Sequence, residues 1–253
     1  MECNVNGTRL FYKECGVGTP ILCLHGHGID HRTMAGCLEP IFANLPGYRR
    51  IYVDLPGRGN SPPAPGIQNA DDMLVMLEGF ISQVIGGEEF LLVGESYGGY
   101  LSLGLIRARQ RVMGLFLLCP CTIADAKRRQ LPSEAEMAVI ITETKEIQER
   151  FDNEIKPGLI AADKAYITKY QKEGYSFSFA SKIGEIVFNK PTCVVLGRQD
   201  DTVGYADTLN LMQNFTMATY VIADGASHNM QIERVDLFNA SVLDWLDRLS
   251  MKG

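Results

Sequence analysis

The stretch Phe90-Leu91-Leu92-Val93-Gly94-Glu95-Ser96-Tyr97-Gly98 decides how this chain folds. Its first four residues form a short apolar run, the mark of a buried strand. Tyr100-Leu101-Ser102-Leu103-Gly104-Leu105-Ile106-Arg107 follows and reads as a helix. Between them lies a Gly-x-Ser-x-Gly turn, which holds one serine hydroxyl up at the edge of a sheet. The glycines are needed because such a turn is strained and crowds its neighbours. In a chain with 25 glycines the pentapeptide alone arises by chance about once in ten chains, so the flanking strand and helix carry the reading.

The same alternation extends in both directions. Asn6-Gly7 marks a hairpin between strands near 3–5 and 8–14. Pro20 opens a buried run, Ile21 to Leu24, that ends at His25. A second run, Arg50-Ile51-Tyr52-Val53, ends at Asp54-Leu55-Pro56-Gly57. A helix is expected near 31–45, and Met73, Leu77, Phe80 and Val84 lay an apolar stripe on another. Val112–Leu118, Pro191–Gly197 and Thr219–Ile222 continue the strands. Val235, Phe238, Val242, Trp245 and Leu249 stripe a closing helix. This order predicts an α/β protein: a mainly parallel sheet with helices on both faces. The rhythm breaks over 122–188, where the chain is charged and helix-like, with helices expected over 131–151 and 159–172. The predicted organisation is one core, 1–121 and 189–253, interrupted by a helical insertion, 122–188.

A chain of 253 residues, 46% hydrophobic and 21% charged, suits one soluble α/β domain with a modest insertion. The net charge of −6 argues against nucleic acid and anionic membrane partners. The densest basic run, Arg107, Arg109 and Arg111, reads as a solvated helix end. Seven cysteines at irregular spacing, several in apolar runs, do not suggest a disulfide framework. Reduced thiols and a cytoplasmic location are expected. Met1–Gly7 lacks the basic-then-apolar order of a signal peptide, and no apolar run approaches the roughly 18 residues of a membrane span.

A serine hydroxyl is a poor nucleophile and needs a base within hydrogen-bond reach. Of His25, His27, His31 and His228, only His228 follows a late strand, in Gly225-Ala226-Ser227-His228. Its loop would emerge at the same carboxyl-end edge as Ser96, where open α/β sheets keep their crevice. Asp200 follows the Cys193–Leu196 run at that edge and would orient the histidine. An acyl-transfer site also needs donors for an oxyanion, and the backbone N–H groups of Tyr97 and His27 are the candidates.

These pieces resemble the α/β-hydrolase superfamily. The matching segments are His25-Gly26, Asp54-Leu55-Pro56-Gly57-Arg58-Gly59-Asn60-Ser61, Gly94–Gly99, the Gly197–Asp200 turn and Gly225–His228, in family order across nearly the whole chain. The resemblance implies a mostly parallel eight-stranded sheet with a helical cap inserted after the sixth strand. It is strongest to small capped esterases and lactonases. It implies Ser96 as nucleophile, Asp200 as acid, His228 as base, and the His27 and Tyr97 amides as the oxyanion hole. Asp201 and Asp125 are competing acids, and the spacing from Gly197 favours Asp200. His25 and Glu95 read as structural, His31 as a helix-start or surface residue, and Arg58 as a solvated loop arginine rather than a carboxylate ligand.

The expected partner is a small-molecule acyl substrate: an ester, thioester or lactone with a small to medium apolar acyl group. Tyr166, Tyr170, Tyr175, Phe177 and Phe179 could line its pocket or merely pack the cap onto the core. No metal or other cofactor is expected. The His25-x-His27 and Asp30-His31 run resembles that of metallo-β-lactamase-type enzymes, but its Asp-His pair falls one residue late. The rival activities are an amidase or aminopeptidase, a C–C bond hydrolase or a cofactor-free lyase on the same residues. A ligand receptor without turnover is the rival outside enzymes.

Overall fold

A computed structural model describes residues 1–108 and 111–251; Arg109 lies outside them. Eight strands form one sheet: β1 (Glu2–Val5), β2 (Thr8–Cys15), β3 (Gly18–Leu24), β4 (Gly47–Val53), β5 (Phe90–Glu95), β6 (Val112–Leu118), β7 (Thr192–Gly197) and β8 (Ala218–Ala223). Their order is β1-β2-β4-β3-β5-β6-β7-β8. β1 pairs antiparallel with β2 and β2 with β4, and every later pairing is parallel. The first hairpin turns on Asn6 and Gly7, both at positive φ, a backbone twist that matches the strands it joins. β3 and β4 begin earlier than their apolar runs, because Gly18-Thr19 pairs with Gly47-Tyr48 before burial starts.

Alternation along each strand divides the core in two. Leu22 and Leu24 of β3 and Leu92 of β5 join one apolar cluster; Ile21, Cys23, Leu91 and Val93 join the other. The first cluster is closed by α2 (Ala70–Val84) and α3 (Tyr97–Ala108), the second by α1 (His31–Phe42) and the closing helix α10 (Val235–Ser250). α1 starts on its Asp30 cap. α2 starts three residues before the Met73 stripe, on a capping box of Asn69 and Asp72. Arg107 near the end of α3 lies over the Phe179 ring at 4.2 Å, and Arg111 donates to the Gly86 carbonyl at 2.9 Å, so neither is merely solvated.

Between β6 and β7 the described residues hold no strand. They hold α4 (Glu134–Met137), α5 (Lys145–Arg150), α6 (Lys156–Ala161) and α7 (Lys164–Glu173), with a π-helical turn at Phe151–Ile155 and short 3₁₀ turns at Ala126–Arg128 and Ala180–Glu185. The helical stretch expected over 131–151 is interrupted between α4 and α5. Val139, Ile140, Ile141, Thr142 and Thr144 are β-branched and disfavour helix, and Thr144 caps a new one. α7 restarts on Asp163, whose side chain accepts from the Tyr166 amide. Two further helices went unread in the sequence, α8 (Ala206–Leu211) before β8 and α9 (Met230–Glu233) before α10. All seven cysteines are free thiols and six are buried. Among the described residues no helix is long and apolar enough to cross a membrane.

Candidate active site

β5 delivers Ser96 to the carboxyl-end edge of the sheet, and α3 leaves directly after it. Ser96 sits at φ +50°, a left-handed conformation that a non-glycine residue adopts only when its surroundings hold it there. The restraint is visible. Its N–H donates to the Leu118 carbonyl at 3.0 Å, and its own carbonyl accepts from the amides of Tyr100 and Cys121. Gly98 follows because a Cβ there would collide with the Leu24 and His25 carbonyls at the end of β3.

The loop after β8 carries His228 to the same edge. Its Nε2 is 2.9 Å from Ser96 Oγ, and its Nδ1 is 2.8 Å from Asp200 Oδ2. Asp200, buried after β7, also accepts from the amides of Thr202 and Val203 at 2.9 and 3.0 Å. A carboxylate on Nδ1 makes that nitrogen the donor, which leaves Nε2 free to accept the serine proton. Burial opposes charge on His228, but the Asp200 carboxylate and its hydrogen bond, then Glu95, outweigh it and raise the pKa. The competing acids lie elsewhere: Asp201 is exposed, and Asp125 caps the 3₁₀ turn at 126–128.

Three side chains were not assigned to this site from the sequence: Glu95, read as structural, and Glu233 and Gln199, which were not singled out. Glu95 is buried with Oε1 3.5 Å from His228 Nε2, and Oε2 has no hydrogen-bond partner. Burial raises its carboxyl to about 7, against the opposing pull of His228 and the Gly26 amide. Glu233 of α9 accepts from the Ser227 amide and hydroxyl, both at 2.6 Å, and so ties down the residue before His228. Gln199, in the turn after β7, holds the same loop two and three residues before His228, accepting from the amides of Ala226 and Gly225. An acid immediately before the serine was the available signal for Glu95; nothing local distinguished Glu233.

The loop after β3 lies against the serine: a Cβ on Gly26 would touch both Glu95 and Ser96. Among the described residues no acceptor is found for the amides of His27 and Tyr97. His25 is fixed, accepting the Leu55 amide on Nε2 and donating from Nδ1 to the Gly26 carbonyl, with burial lowering its pKa to about 4. His31 opens α1 with Nδ1 2.8 Å from Asp54, while Asp30 pairs with Arg32. His25 and His27 therefore do not join Asp30, His31 and Asp54, whose ligand-capable atoms do lie close together.

The five aromatic residues of the inserted segment separate into two groups. Tyr175 stacks on Tyr97 at 4.1 Å and meets the His27 ring edge-on at 5.0 Å. Tyr170 shares a 2.7 Å hydrogen bond with the Tyr97 hydroxyl. Tyr166 packs against Gly57 and donates to the carbonyls of Ala64 or Ile67. Phe177 stacks on Tyr100 and fills the space over Gly104, and Phe179 stacks on Phe177, further along α3. Arg58 departs from its expected place on a solvated loop: its side chain is 0% exposed, beneath these tyrosines.

A family profile, described as the Alpha/beta hydrolase family, matches residues 21–241. The chain belongs to the alpha/beta hydrolase family. An alpha/beta superfamily hydrolase from Oenococcus oeni PSU-1 superposes with a TM-score of 0.89 at 31% identity, covering 99% of each chain. A 2-hydroxy-6-oxononadienedioate/2-hydroxy-6-oxononatrienedioate hydrolase from Dechloromonas aromatica is 24% identical over 94% of this chain and 90% of its own length. A pimeloyl-[acyl-carrier protein] methyl ester esterase from Shewanella woodyi is 31% identical over 46% of this chain and 43% of its own. The eight-stranded sheet of this alpha/beta hydrolase carries its Gly-x-Ser-x-Gly turn after β5 and His228 after β8.

Proposed function

We propose that this alpha/beta hydrolase is a serine hydrolase that cleaves a carboxylic ester or a related acyl compound, a thioester or lactone, through an acyl-enzyme. The observation that carries the reading is the continuous relay from Ser96 Oγ to His228 Nε2, 2.9 Å, and from Nδ1 to Asp200, 2.8 Å. In this reading Ser96 attacks the acyl carbonyl while His228 takes its proton. The amides of His27 and Tyr97 hold the oxyanion, helped by the position of Tyr97 as first residue of α3. His228 then protonates the leaving group and activates water to release the acid. Ester cleavage is preferred to amide cleavage because an alkoxide needs less protonation to depart than an amine. The likeness to a methyl ester esterase over part of the chain supports it. Residues 122–188 are proposed as the cap that selects substrate, with Tyr170 and Tyr175 facing the acyl group.

A second reading is C–C bond hydrolysis on the same residues. The near full-length likeness to a hydrolase whose substrate name is a keto acid rather than an ester favours it. Both readings predict that a serine-directed phosphonate labels Ser96 at one equivalent and that Ser96→Ala loses at least about a thousandfold in kcat. A substrate panel of esters, thioesters, lactones and vinylogous diketones separates them. Unlabelled, folded wild-type protein would refute both.

A further inference from the structure

Arg58 is a buried cation without a counter-ion. Its guanidinium donates from one terminal nitrogen to the Pro56 carbonyl at 2.6 Å and from the other to His27 Nδ1 at 2.9 Å. Among the described residues no carboxylate pairs with it, and its Nε–H has no acceptor. Its nearest face is aromatic, with the Tyr170 ring centroid 5.7 Å from the guanidinium carbon. Arginine stays protonated in proteins, so a full positive charge is held in a place that ordinarily demands a partner.

The histidine beside it makes the imbalance larger. Burial and the adjacent Arg58 push the His27 imidazole down to about 3, so the ring is neutral. Its Nδ1 accepts from Arg58 and therefore carries no proton, which places the proton on Nε2. That Nε2–H is also buried and makes no hydrogen bond within normal geometry; the nearby Ile167 carbonyl is neutral and supplies no counter-charge. One uncompensated charge, with the Arg58 Nε–H and the His27 Nε2–H beside it, thus sits among tyrosines and neutral carbonyls. A buried polar group left unpaired in a native fold calls for an explanation, and this set lacks an anionic acceptor.

Its place indicates where that acceptor would come from. His27 also offers its amide to the oxyanion, and Tyr97, whose ring contacts His27, directly follows Ser96. We infer that Arg58 and His27 form a carboxylate subsite in the acyl pocket, so that the substrate carries a carboxylate beyond the bond that is cut. The inference rests on the hydrolase reading above and adds one charge to a pocket the sequence suggested was apolar. Planar guanidinium matches carboxylate geometry better than any point charge does.

Two measurements test it. In turnover, the monomethyl esters of the dicarboxylic acids from succinate to suberate are compared with their dimethyl esters. The wild-type kcat/KM ratio of monoester to diester should exceed one by roughly tenfold to a hundredfold at the best length, chiefly through KM. Arg58→Gln should collapse that ratio, and Arg58→Lys, the fallback if the glutamine variant does not fold, should lower it partway. A wild-type ratio at or below one at every length overturns the subsite. In binding, pentanoate should raise the wild-type Tm more than pentanol at matched ionic strength, and the difference should vanish in Arg58→Gln. Equal shifts, or a pentanoate shift that survives the substitution, overturn it as well. If neither ester is turned over, the ester reading fails while the binding arm still decides the subsite.

Discussion

Glu95 is a buried carboxyl facing the histidine of the proposed relay. Its carboxylate lies 3.5 Å from His228 Nε2, the nitrogen that would accept the serine proton in the proposed reaction. An ionised Glu95 favours imidazolium, the form unable to act as base. Glu95→Gln removes that charge, so the acid limb of kcat/KM should move to lower pH; an unmoved limb would show that Glu95 does not act on His228. Stability should respond too. Burial lifts this carboxyl to about 7, above its value in the unfolded chain. Its proton therefore favours the fold below the ordinary carboxylate range, and that contribution is lost as pH rises through about 7. Relative to wild type, Glu95→Gln should gain stability between about pH 5 and pH 8, on the order of 1–3 kcal/mol, read from Tm. Sequence reasoning placed Ser96, Asp200 and His228 because each follows a strand. It read Glu95 as structural because nothing local says that its carboxylate reaches a histidine 133 positions later, the separation of residues 95 and 228.

At the scale of elements, the site depends on turns packed too tightly to change. Gly98→Ala would drive a methyl group into two backbone carbonyls at the end of β3. The expected loss is about 1–3 kcal/mol or more in urea unfolding, with activity falling further because Ser96 shifts. The His228 loop is held more gently, by Glu233 of α9 on Ser227. Glu233→Gln should lower kcat by about tenfold while costing only about 1 kcal/mol of stability. Equal fractional losses in kcat and folded population would instead make Glu233 a purely structural support. The strands were legible because continuous apolar runs mark buried parallel strands. The interruption within 131–151 was not, because charge density there imitated helix while the β-branched residues at 139–144 stopped it.

Over the whole molecule, burial governs chemistry. Six of the seven thiols lie inside, leaving Cys15 half-exposed. A thiol reagent should therefore modify about one cysteine per native chain and all seven after unfolding, and reductant should leave Tm unchanged. Rapid modification of several native thiols would contradict this packing. The amino-acid sequence determined the alternation of strands and helices, and with it the sheet edge that gathers Ser96, Asp200 and His228. Those features follow from periodicity and turn chemistry within about ten neighbouring residues. Only the tertiary structure decided that Arg58 is buried without a counter-ion, that Glu95 faces His228, and that Tyr175 covers Tyr97. Those facts depend on which remote segment closes over a residue, and desolvation by a distant element leaves no trace in the local pattern.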